Sequence, residues 1–94
     1  MRFRVSGISA NEVKKLEELK NSKKYVGFKQ SLKAIENDIV LKAFIAKDAD
    51  PALTGTVKTL CEKKGVPVVE VEKGAELGNA CGIKIGAACA VILI

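Results

Sequence analysis

Eight consecutive apolar residues, Ala87-Ala88-Cys89-Ala90-Val91-Ile92-Leu93-Ile94, constrain this chain more than any other stretch. A strand with no polar face must be covered on both sides, so the run predicts the central strand of a sheet with helices above and below. It is far too short to cross a bilayer. Leu41–Ala46, mostly apolar, reads as a second interior strand. Val66–Val71 reads as a third, and Pro67, which lacks an N–H, points to an edge or a strand start. Tyr25-Val26 is a short further strand. Met1-Arg2-Phe3-Arg4-Val5 alternates apolar and basic residues, as a strand or an arm would.

Helical signals separate these strands. Ser9-Ala10-Asn11-Glu12 fits a capping box, with Ile8 and Val13 as a hydrophobic staple. Val13, Leu16 and Leu19 mark the buried side of that first helix, which the Asn21–Lys24 stretch ends. A second helix is predicted from Phe28 to Asn37. A third starts with Asp50 as N-cap and Pro51 at the first helical position, buries Leu53, Val57, Leu60 and Cys61, and stops at Gly65. A fourth, short helix covers Gly74 to Cys81. The alternation predicts a single α/β domain over residues 1–94, with residues 1–8 as an N-terminal strand or arm and helices on both faces of one sheet.

Charge is distributed unevenly. Met1 to Lys33 carries nine Lys and Arg against three Glu, whereas Ala34 to Ile94 carries seven against eight acids. Lys20, Lys23, Lys24, Lys29 and Lys33 follow one another with no acid between them, a pattern that favours a polyanionic partner on one face. Aromatics make up only 4% of the chain, with no tryptophan and one tyrosine, which argues against extensive base stacking.

The same inventory narrows the chemistry. Cys61, Cys81 and Cys89 are widely spaced and the chain has no histidine, so a closed zinc site and a Cys–His nucleophile are both excluded. The three thiols read as small buried hydrophobes of a reducing cytosol. No signal peptide is expected, because Arg2 and Arg4 precede no apolar segment. Of the acids Asp48 and Asp50, the second is needed as a cap. Without a phosphate loop or a metal set, no enzyme, cofactor or metal is expected.

Two stretches remain as functional candidates. In Val26-Gly27-Phe28-Lys29-Gln30-Ser31-Leu32-Lys33 a glycine leads into a helix, with Phe28, Leu32 and Ile35 on one side and Lys29, Gln30 and Lys33 on another. Helix openings offer free N–H groups and the positive end of the dipole. Lysine donates to phosphates or to guanine O6 and N7, and glutamine both donates and accepts. The second candidate is Ile83-Lys84-Ile85, set between glycines in the series Gly74, Gly78, Gly82, Gly86. That series implies a short helix pressed onto its neighbours and ended at Gly82. Its two isoleucines are either exposed to an unstacked base or a protein, or plugged into the core edge; spacing alone leaves both readings open.

With these residues in view, the chain resembles the kink-turn RNA-binding family of archaeal and eukaryotic large-subunit ribosomal proteins (the "L-seven-Ae" and "L-thirty-e" proteins), particularly its short bacterial members. Three blocks carry the resemblance: Val26 to Lys33, Ile45-Ala46-Lys47-Asp48-Ala49-Asp50-Pro51, and Leu77 to Ala88. It implies a three-layer α-β-α sandwich around a small mixed sheet, in agreement with the pattern above. It also implies binding to a sharply bent RNA in which a bulge is followed by sheared G·A pairs. The family motif Gly-x-Asn-Glu-x-x-Lys stands here as Gly27-Phe28-Lys29-Gln30-Ser31-Leu32-Lys33, with lysine for asparagine and glutamine for glutamate. By this resemblance Gly27, Phe28, Lys29, Gln30, Lys33 and Lys47 contact RNA, and Ile83, Lys84 and Ile85 cover a base thrown out of the bulge. The expected protein is a monomeric, cytoplasmic, non-enzymatic binder of structured RNA, on ribosomal RNA or a riboswitch, with no DNA or membrane partner. The alternative is a protein-interaction module of the same fold that uses the isoleucine loop without the lysines.

Overall fold

In a computed structural model, residues 16–83 and 85–94 are described. The capping box at Ser9–Glu12, the staple at Ile8 and Val13, the Met1–Val5 segment and Lys84 lie outside them.

The helix α1 is described over residues 16–20. It is followed by β1 (Lys24–Val26), α2 (Phe28–Glu36), β2 (Val40–Ala46), α3 (Pro51–Lys64), β3 (Val68–Val71), α4 (Gly74–Ala80) and β4 (Cys89–Leu93). The four strands form one sheet in the order β1-β4-β2-β3. β4 runs antiparallel to both β1 and β2, and β3 is parallel to β2. The apolar run therefore occupies the centre, as its composition demands, and the sheet is mixed.

Alternation along the central strands sorts their side chains to two faces. Phe44, Ala46, Ala90 and Ile92 pack with Leu16, Leu19 and Leu77 from α1 and α4. Ala43, Ile45, Cys89 and Val91 pack with Ala34, Ile35, Val57 and Cys61 from α2 and α3. A strand apolar at every position is thus used at every position. The result is the α-β-α sandwich.

The punctuation of α3 is local and legible. The Asp50 carboxylate accepts from Ala52 N–H at 2.9 Å, Pro51 opens the helix, and Gly65 closes it at φ +73°. Of its predicted stripe, Val57 and Cys61 are fully buried while Leu53 and Leu60 are half-buried. Pro67 stands just before β3 on the sheet edge, where its carbonyl accepts from Ala43 N–H at 2.9 Å.

The apolar run is buried less far than expected. Ile94 is 81% exposed, because the strand's register pairs Leu93 with Val40, where β2 begins, and leaves Ile94 only a backbone bond to Ile39. Cysteines 61 and 89 are buried as expected, but Cys81, just past α4, is only half-buried.

Candidate nucleic-acid interface

Gly27 sets the geometry of the first candidate stretch. Its backbone lies at φ 105° and ψ 160°, a conformation L side chains rarely adopt, although a Cβ there would meet no atom within 4 Å. The requirement is conformational. Gly27 N–H donates to Cys89 O at 2.9 Å, and Gly27 O accepts from Ser31 N–H at 3.0 Å. The start of α2 is thereby tied to the first residue of the central strand.

From that anchor the helix separates its faces as its spacing predicts. Ser31, Ala34 and Ile35 are buried; Phe28 and Leu32 are half-buried against the same core; Lys29, Gln30 and Lys33 are exposed on the other side. Among the described residues no side chain caps the opening, and its first turn contains no acid. The first-turn N–H groups, which have no intrahelical acceptors, thus add their partial positive charge to that of two lysines. Lys42, Lys47, Lys58 and Lys64 each hold a carboxylate within 3.2 Å. Among the described residues Lys29 and Lys33 pair with none. Their charge is available to a ligand.

Ser31 is a feature that the helical spacing did not single out. Its hydroxyl is fully buried and makes no hydrogen bond of acceptable geometry. It lies against Cys89, whose thiol is pushed up by burial and drawn partly back by that hydroxyl.

The second candidate is held by glycines. A Cβ on Gly78 would overlap the carbonyl oxygen of Ile85, and one on Gly74 would come within 2.8 Å of Ala87 O. Gly82 turns the chain at φ +83°, Ile83 N–H returns to Gly78 O at 3.1 Å, and Ala87 N–H reaches Gly74 O at 3.0 Å. Ile83, Ile85 and Ala87 are thus held close against α4. Its isoleucines divide the two readings between them. Ile83 is half-buried against the α1/α4 core, whereas Ile85 is 74% exposed.

Sheet topology brings the two stretches together. Because β4 is antiparallel to β1 and β2, its beginning lies beside the ends of both. The α2 opening, the 82–88 loop, and the loops leaving β2 and β3 therefore share one end of the sheet. Ala46 N–H to Ala88 O at 2.9 Å and Lys47 N–H to Val71 O at 2.8 Å stitch that end together. Lys47 sits there too, but on the β2/β3 side, and its ammonium is 3.2 Å from Glu72. Asp48 has a role that sequence spacing did not reveal: its carboxylate accepts from Gly74 N–H at 2.8 Å and caps α4 from across the chain. Its signal was the lack of a capping side chain before Gly74, where Lys73 stands.

A model of the family described as ribosomal protein L7Ae/L30e/S12e/Gadd45 matches residues 11–94. A protein of Bacillus pumilus named RNA-binding protein is 46% identical over 69 residues, covering 73% of this chain and 84% of its own. One from Caldanaerobacter subterraneus subsp. tengcongensis, also named RNA-binding protein, is 44% identical over 72 residues, or 77% and 88% of the two chains. The solved 15.5kD RNA binding protein of Giardia lamblia has a TM-score of 0.83 at 25% identity, over 96% of this chain and 80% of that one. The extent of the family match and these identities lead to one conclusion: the chain belongs to the ribosomal protein L7Ae/L30e/S12e/Gadd45 family.

Proposed function

We propose that the protein is a non-enzymatic RNA-binding protein that recognises kink-turns, with the α2 opening in the widened groove at the sheared G·A pairs. The observation that carries this reading is the juxtaposition, on one end of the sheet, of the exposed Ile85 with an acid-free helix start whose Lys29 and Lys33 have no carboxylate partner among the described residues. The names of the relatives, RNA-binding proteins of similar length, support the RNA partner. Lys29 and Gln30 supply guanine and phosphate contacts, Lys33 a phosphate contact, and Ile85 an apolar surface for an unstacked base. Gln30 accepts through its carbonyl without the charge assistance a glutamate would add. Binding the bent state in preference to the extended one shifts the RNA population toward the kink. A ribosomal RNA target is one setting for this activity, and comigration with ribosomal subunits on a sucrose gradient tests it.

The deciding experiment is a gel shift with a kink-turn hairpin and the same hairpin with its G·A pairs replaced by Watson–Crick pairs. Tight binding to the first only is expected. Equal binding to both would sink the kink-turn reading.

A further inference from the structure

Along the flank of α2 lies a cleft of about 330 Å³ bounded by Tyr25, Gln30, Lys33, Ala34, Asn37 and Ile39. Its origin is strand alternation. Val26 points toward the α1/α4 core, so Tyr25 points to the opposite face, where α2 lies. Among the described residues β1 is an edge strand of the sheet, and Tyr25 is 41% exposed. Gln30, Lys33 and Asn37 recur at helical spacing, so one polar stripe runs from the α2 opening down the length of the cleft.

We propose that this cleft is a nucleotide subsite: one unpaired nucleotide of the bound RNA stacks its base on Tyr25, sets its phosphate against Lys33, and presents its base edge to the Asn37 amide. The proposal rests on the reading of α2 as the RNA-binding helix. Three features select this occupant. The cleft shares Gln30 and Lys33 with the helix opening, so a strand leaving the opening enters it without a break. Lys33 is unpaired among the described residues and lies in the basic first third of the chain, which suits a phosphate and repels a cationic peptide. A tyrosine face accepts any base, while the asparagine amide both donates and accepts, as a base edge requires. At the small end of ligand pockets, the volume suits one nucleotide rather than a longer segment. Among the described residues Phe44 is fully buried and Phe28 half-buried, which leaves Tyr25 as the exposed aromatic ring on which a base can stack.

The chain has one tyrosine and no tryptophan, so its tyrosine fluorescence reports on Tyr25 alone. Titrating the wild-type protein with the kink-turn hairpin is expected to quench that emission, with a midpoint equal to the gel-shift Kd. Tyr25→Phe keeps the ring and should bind within about twofold of wild type, whereas Tyr25→Leu keeps apolar bulk but no ring and should lose about tenfold. Unchanged emission on RNA that is demonstrably bound overturns the subsite and leaves the α2 reading standing, as does a folded Tyr25→Leu variant that binds as tightly as wild type. Failure of the hairpin to bind wild type at all removes both. The fluorescence arm needs no variant, so it decides the matter even if Tyr25→Leu folds poorly.

Discussion

Gly78 lies against the carbonyl of Ile85 so closely that a single added methyl would overlap it. This contact makes the loop a fixed wall, because the helix can approach only where no side chain intervenes. Gly78→Ala must push the loop or the helix aside and should cost about 1–3 kcal/mol, the usual penalty of overpacking. Gly55, exposed in the middle of α3 with nothing within 4 Å of the place a Cβ would take, is the contrast. Gly55→Ala should raise stability by about 0.5–1 kcal/mol through helix propensity alone. Urea denaturation of both variants checks the opposite signs.

The two aspartates near the β2–α3 turn cap two different helices. Asp50 caps its own helix locally, and Asp50→Ala should cost about 1 kcal/mol. Asp48 caps α4 from 26 residues away, so its loss also loosens the end of the sheet that carries the loop. Asp48→Ala leaves the part-buried Gly74 N–H without its acceptor and should cost about 1–3 kcal/mol. Asp48→Asn, which keeps a carbonyl acceptor, should recover most of it. Amide hydrogen exchange at Gly74 distinguishes the cap from a general loss of stability.

Burial, and then the neighbouring Cys89 thiol, push the Cys61 thiol up from 9.0 to about 11. An unfolded chain loses this proton at lower pH than the folded one, so the contribution of Cys61 is fully present below about pH 9. It is lost as pH rises toward 11. Urea midpoints should therefore fall between pH 9 and 11, and Cys61→Ala should flatten that fall while lowering the midpoint at neutral pH through its small cavity.

How much of this was legible depended on how local each cause is. The apolar run specified a central strand by itself, and the Asp50–Pro51 start and Gly65 stop of α3 are signals written within one helix. The faces of α2 followed from helical period. What spacing could not reveal depended on partners distant in sequence. Asp48 finds its donor, and Lys47 its carboxylate, only when β2 and β3 lie side by side. The loop isoleucines were ambiguous for the same reason: Ile83 turns inward only because the α1/α4 core is there to receive it. Ile94 belongs to the apolar run yet lies in the open, since burial ends where β2 begins rather than where the hydrophobic residues stop.

The lysines provide the sharpest test of the interface, because only some of them are committed elsewhere. Lys29 and Lys33 have no carboxylate partner among the described residues, so replacing either removes positive charge without freeing an acid. If each contacts one RNA phosphate, each alanine variant should lower the slope of log K against log salt by about 1 while weakening binding at low salt. Lys47 shares the same end of the sheet, but its ammonium lies beside Glu72, and a phosphate that recruits it must first displace that acid. It also stands on the β2/β3 side, away from the α2 opening. Lys47→Ala should therefore leave the salt slope nearly unchanged and reduce affinity less than either α2 variant. Fluorescence-anisotropy titrations at several salt concentrations separate the cases. Equal slopes for all three variants would mean that α2 has no special claim on the phosphates, whereas a reduced slope confined to Lys29 and Lys33 places the RNA backbone along that helix.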